Sequence, residues 1–151
     1  MHKQNLLLAA AAIAVTGTIA LAHTGATGVV MQRMESMKTI SESLKQIGAI
    51  VKGEAVFDVD RVQASANTIA THANSIPGLF PEGTTGHPSE ALPEIWTDWE
   101  RFTELATKLG ENAQAMATAA GSATDITGIR SELIAVGRSC KACHQDFRVA
   151  K

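Results

Sequence analysis

Four stretches of this chain repeat apolar residues every seven positions in two interleaved rows, a pattern that helices packed on helices satisfy and that strands do not. From about 28 to 52 one row is Val30, Met37, Leu44 and Val51, and the other Arg33, Ile40 and Ile47. From about 58 to 76 the rows are Val59, Ala66, Ala73 and Val62, Ile69, Ile76. From about 93 to 120 they are Trp99, Ala106, Ala113, Ala120 and Ile95, Phe102, Leu109, Met116. The last stretch opens at Thr124 or Asp125 and runs to about Val149, with Ile126, Leu133, Cys140, Phe147 and Ile129, Val136, Cys143. Breaks fall between them: Gly53, then Asp58 as an N-cap, Pro77-Gly78 with a Gly-, Thr- and Pro-rich loop to Pro88, Pro93 in a tolerated first turn, and Gly121-Ser122. Hydrophobic residues make up 45% of the chain, but aromatics only 4% and tyrosine is absent, which suits close helix packing. The prediction is an all-α, antiparallel four-helix bundle. Its seams could not be buried by isolated helices.

The chain has only two cysteines, and both stand in Cys140-Lys141-Ala142-Cys143-His144, on seam positions of the fourth stretch. C-x-x-C-H is the spacing of covalent c-type haem attachment. Each sulfur can add across a haem vinyl group to give a thioether, and the adjacent imidazole can bind the iron. On a helix Cys143 lies about 60° behind Cys140 and His144 about 40° ahead, so all three leave one face. Competing uses of these residues are poorer. A disulfide between i and i+3 closes almost no loop, no strand pattern precedes the pair as a thioredoxin-type site requires, and zinc would want a further ligand. The seam positions place the haem inside the bundle.

Residues 1–22 read as a secretory signal peptide. Lys3 gives the positive start, 6–15 the apolar stretch, and Ala20-Leu21-Ala22 a small-x-small cleavage site, which leaves a domain from His23 to Lys151. The stretch is short for a membrane span and is interrupted at Thr16-Gly17-Thr18. An uncleaved anchor is the competing reading. Cleavage would take Lys3 away and move the net charge from −2 to −3. No basic excess points to nucleic acid. Export agrees with the haem motif, since bacterial c-type haem is attached outside the cytoplasmic membrane.

With His144 on one side of the iron, the first helix offers candidates for the other. Met37 can donate a thioether, which in cytochromes c raises the potential, or it can simply fill core space. Met31 and Met34 lie off the rows, and Met116 belongs to the third seam. Arg33 sits one turn before Met37 on an otherwise apolar seam. A buried cation needs a partner, and a haem propionate suits a guanidinium, unless the side chain escapes to solvent. Trp96, Trp99 and Phe102 are flat groups that can pack on a haem or on one another. Arg148, one turn after His144, can approach the same face or serve as a C-terminal helix cation. His23, His72 and His87 are expected to be solvated or locally hydrogen-bonded.

Taken together the chain resembles the class II c-type cytochromes, the cytochrome c′ family. The likeness spans nearly all of the mature chain. It rests on the motif close to the C-terminus, extended through Gln145-Asp146-Phe147-Arg148 with an aromatic and then a basic residue. Val51-Lys52-Gly53-Glu54 with Phe57-Asp58, Phe80-Pro81-Glu82-Gly83-Thr84 and Ile95-Trp96 are similar to family patterns too. The resemblance implies one covalent haem c on Cys140 and Cys143, His144 as axial ligand and Arg148 as the nearby cation. It implies Met37 at the distal place facing the iron, with Arg33 one turn earlier. Five-coordinate members carry a non-binding leucine or aromatic there and low-spin members a ligating methionine, so Arg33-Met34-Glu35-Ser36-Met37-Lys38 is more similar to the low-spin kind. Homodimers that pair through the first helices occur in the family, beside monomers.

The expectation is a periplasmic single-electron carrier working with redox partner proteins. Without a catalytic acid–base pair in view it is not read as an enzyme, because the cofactor supplies the chemistry and the protein sets potential, access and orientation. The alternative is a five-coordinate protein that binds nitric oxide or another diatomic gas at the distal face.

Overall fold

The computed structural model describes residues 25–150. The expected leader, its cleavage point and His23 lie outside the described residues. Among those residues are four long helices, α1 (Gly28–Val51), α2 (Val59–Ser75), α4 (Trp99–Ala120) and α5 (Arg130–Phe147), and a single turn, α3 (Glu94–Thr97), that leads into α4. They form the expected four-helix bundle.

Local chemistry sets the ends. Asp58 caps α2 by accepting from the Arg61 N–H at 2.9 Å, and Gly53 closes α1 at φ 74°, where a side chain would strain the backbone. Two expected helices are shorter than their rows implied. The third breaks at Asp98 (φ −128°, ψ 53°), which separates α3 from α4. The fourth begins as a tight 3₁₀ turn over Ile126–Ile129 under the Asp125 cap. It stops at Phe147, because Arg148 turns extended (φ −125°, ψ 140°) to make a bridge with Ala91.

Small residues bring α2 and α4 together. Val62, Ala66, Ile69 and Ala73 of α2 and Ala113, Met116 and Ala120 of α4 are all completely buried. A Cβ on Gly110 of α4 would stand 2.5 Å from the Asn74 side chain of α2. Asn112 ties α4 to α5 by donating to Ser139 Oγ at 2.9 Å. Polar bonds tie α1 to α2: Ser36 Oγ pairs with His72 Nδ1 at 2.9 Å, and Ser65 Oγ donates to Gln46 Oε1 at 3.2 Å. His72 is thus hydrogen-bonded across to α1 rather than locally.

The helices pack in series, α1 on α2, α2 on α4 and α4 on α5, and no comparable seam joins α1 to α5. A cavity lies there instead. This corrects the reading of α1. Its buried face is Arg33, Ser36, Ile40, Ser43, Ile47 and Ile50, whereas Val30, Met37 and Leu44 are only half-buried and Val51 is exposed. Met37 and Leu44 face the cavity, so no helix covers them. Trp99 is likewise exposed at the start of α4 rather than seamed.

Candidate functional site

The cavity has a volume of about 590 Å³, within the range of ligand and cofactor sites. α5 lines one side with Cys140, Cys143, His144 and Phe147, and α1 the other with Arg33, Met34, Met37, Ile40 and Leu44. Phe102 and Leu109 of α4 form the floor, and the loop from Pro88 to Ala91 closes an end. The helical spacing that aims both sulfurs and the imidazole at one face has therefore aimed them into one space.

Both thiols are free and half-buried. Burial raises the Cys140 pKa. Burial first, then the Cys140 and Asp146 charges, push Cys143 up to about 11, with Arg101 opposing. Each therefore rests as a neutral thiol at neutral pH. The His144 imidazole is shifted down, chiefly by burial and next by the Arg148 charge, while Glu90 pulls the other way. That keeps it in the neutral form that ligates metals, although by area it remains more exposed than the thiols.

Arg33 is the most unusual group in the wall. It is 4% exposed, its Nη2 donates to Thr84 O at 2.9 Å and to Thr84 Oγ1 at 2.6 Å, and its guanidinium lies 4.3 Å from the Phe80 ring centroid. Its Nε and Nη1 are buried without a partner, and burial lowers its pKa. A half-satisfied buried cation calls for an anion on its open side.

Aromatic rings stiffen the floor. Phe102, 2% exposed, meets Phe80 edge-on at 4.9 Å and Phe147 at 5.4 Å, and Trp99 tilts against it at 5.5 Å. Trp96 stands apart from the cavity. Its indole Nε1 donates to Phe80 O at 2.9 Å, so it braces the wall from behind rather than facing a cofactor. Of the candidate residues, Cys140, Cys143, His144, Met37, Arg33, Arg148 and Phe102 converge on the cavity and Trp96 does not.

A helical bundle that keeps an apolar, thiol-bearing cavity between two of its helices belongs to the class of bundles that hold a cofactor among facing helices. The comparisons specify which. Residues 28–148 match the family model described as Cytochrome C′. The chain is 40% identical over 126 residues to cytochrome c′ of Rhodopseudomonas palustris, covering 83% of this chain and 84% of the relative. It is 39% identical over 127 residues to cytochrome c-556 of Agrobacterium fabrum, with the same shares. The solved cytochrome c′ of Rhodopseudomonas palustris matches with a TM-score of 0.75 at 38% identity, over 83% of this chain and 99% of that one. The nitric oxide complex of a cytochrome c prime mutant from Alcaligenes xylosoxidans matches with a TM-score of 0.71 at 28% identity, over 81% and 94%. The chain belongs to the cytochrome c′ family, class II c-type cytochromes that carry one covalent haem c. Its residues fit that group: two neutral thiols and an imidazole on one wall, a flat apolar floor, and a half-satisfied buried guanidinium opposite.

Sequence reasoning left out Phe80 and the Pro88–Ala91 wall as site residues. Phe80 was visible only within the Phe80-to-Thr84 pattern. Glu90 has no local signature, because a loop places it there.

Proposed function

We propose that this chain is exported to the periplasm, holds its haem c through thioethers to Cys140 and Cys143 with His144 as proximal ligand, and binds a diatomic gas, nitric oxide foremost, at the distal face beneath α1. The observation that carries the reading is the make-up of that distal wall. Met37, Ile40 and Leu44 face the cavity from α1, and distal polarity and access decide what a haem iron binds. With Ser41 and Arg33 as its polar members, such a wall favours a weakly polar diatomic over water. The nitric oxide complex of the Alcaligenes xylosoxidans relative supports it. When bound, the haem would supply an iron able to take up such a ligand. The protein's part is to exclude water, hold the imidazole neutral and seat the propionate edge against Arg33. No helix among the described residues is long and apolar enough to cross a membrane.

One observation favours a second reading. The Met37 side chain is half-buried on the cavity wall, where a thioether could take the sixth position and make the protein a single-electron carrier. Absorption spectroscopy of the ferric protein with and without Met37→Leu separates the two. Gas binding predicts a high-spin spectrum that the substitution leaves in place and that nitric oxide converts. A low-spin spectrum that turns high-spin in the variant would instead establish Met37 ligation and the carrier reading.

A further inference from the structure

The segment after α5 and the loop before α3 are joined by backbone before any side chain acts. Arg148 bridges Ala91, the Leu92 N–H donates to Phe147 O at 3.0 Å, and the Val149 N–H donates to Glu90 O at 2.9 Å. That register sets Glu90 beside Arg148. Arg148 Nε donates to Glu90 Oε2 at 2.8 Å, and Nη2 donates to the same oxygen. Both side chains line the cavity together with His144.

We propose that Glu90 is a positioning residue of the proximal side: its carboxylate fixes and neutralises Arg148, so that the iron bound through His144 faces a closed ion pair and not a free cation. The proposal rests on the reading of His144 as proximal ligand. Stability does not explain the pair. Its side chains are 36% and 45% exposed, and an exposed pair contributes only about 0–1 kcal/mol. The two backbone hydrogen bonds that make the bridge hold the segment without it. What the pair controls is the field at the imidazole, on which Arg148 and Glu90 act in opposite directions. Ferric iron carries one more positive charge than ferrous iron. An unopposed guanidinium four residues beyond the ligand therefore disfavours the ferric state, and an unopposed carboxylate favours it.

The experiment is a spectroelectrochemical titration of the haem-loaded protein and its Glu90→Gln, Glu90→Asp, Arg148→Gln and double Glu90→Gln/Arg148→Gln forms. Glu90→Gln should move the midpoint potential up, Arg148→Gln should move it down, and Glu90→Asp should stay near the parent. Glu90→Gln should shift the potential more when Arg148 is present than when it is not. An unchanged potential in Glu90→Gln overturns the proposal, and so does an equal shift in both backgrounds. If Glu90→Gln does not accumulate with haem, Arg148→Gln alone decides, and a potential that stays or rises overturns the proposal. The spectrum of His144→Ala tests the ligand reading separately. If it is unchanged, that reading fails. If it loses the imidazole signature while the Glu90→Gln potential stays put, only the role of Glu90 fails.

Discussion

Phe102 joins the core to the site, and Phe102→Ala tests both jobs at once. The ring is 2% exposed, touches Phe80, Phe147 and Trp99 at 4.9, 5.4 and 5.5 Å between centroids, and forms part of the cavity floor. Truncating a buried phenylalanine to alanine costs ~3–5 kcal/mol in lost transfer energy and residual void. Its two edge-on contacts, each worth ~0.5–1.5 kcal/mol beyond area, place this case toward the upper end, at about 4 kcal/mol. At roughly 4 °C per kcal/mol for a domain of this size, the unfolding midpoint should fall by about 15 °C. Urea unfolding followed by far-UV circular dichroism gives the energy, provided the slope against denaturant is unchanged. The Soret band of the haem-loaded protein reports the floor. Met116→Ala is the control. Met116 is fully buried but does not line the cavity, so it should lose ~2–5 kcal/mol and leave the Soret band where it was. A Phe102→Ala loss below about 1.5 kcal/mol would refute the packing argument. Equal Soret shifts in the two variants would refute the assignment of Phe102 to the cofactor floor.

Other expectations follow from single contacts. Arg33→Met removes donors to Thr84 and a cation with two unpartnered buried nitrogens. If a propionate takes the open side, the haem-loaded protein should lose about 3 kcal/mol in urea, since charge-assisted bonds contribute ~1.5–3 kcal/mol each; Arg33→Lys should not restore it, for want of the planar fork, and a loss under about 1 kcal/mol would argue against that pairing. Asp125 is held below its ordinary pKa by the Thr127 hydroxyl and then the Thr127 N–H. Its stabilising contribution is present above the unfolded carboxylate pKa and lost as pH falls through the lower folded value, so Asp125→Asn should flatten that part of the acid limb in a stability–pH series. Asp58→Ala, which deletes the acceptor for the Arg61 N–H, should cost about 1 kcal/mol with an unaltered haem spectrum.

The sequence pattern carried the bundle and one wall of the cavity because both depend on helical spacing alone. The rows found Ile40, Ile47, Val62, Ile69, Leu109, Met116 and Val136, all buried or nearly so, and Cys140, Cys143 and His144 fall on one face by rotation angle. Spacing failed where a long-range partner decides. Met37 and Leu44 have the period of a seam, but the surface they face is a cavity. Trp96 lies one position from a buried residue, and only the Phe80 carbonyl explains its direction. Glu90 was illegible, because its place comes from a bridge between residues far apart in the chain.

The choice between an open and a methionine-filled distal position turns on how α1 is seated. α1 packs along α2 and lacks a second seam against α5, so its distance from the proximal helix is not set by apolar interdigitation across the cavity. It is set by the packing of α1 along α2 and by polar attachments at defined points, among them Ser36 to His72 of α2 and Arg33 to Thr84 of the loop. Met37 lies one residue beyond the first of these and one turn beyond the second. A thioether has three rotatable bonds and adapts to small gaps, whereas a bond to iron tolerates little error in distance. A small displacement of α1 toward the iron would therefore favour ligation, and one away from it an open position. If so, Ser36→Ala, which frees one attachment while leaving Met37 and every cavity-lining side chain intact, should change nitric oxide affinity or spin state more than it changes global stability. Equal haem behaviour in Ser36→Ala and the parent would show that the distal geometry is set by the cofactor and not by the seat of α1.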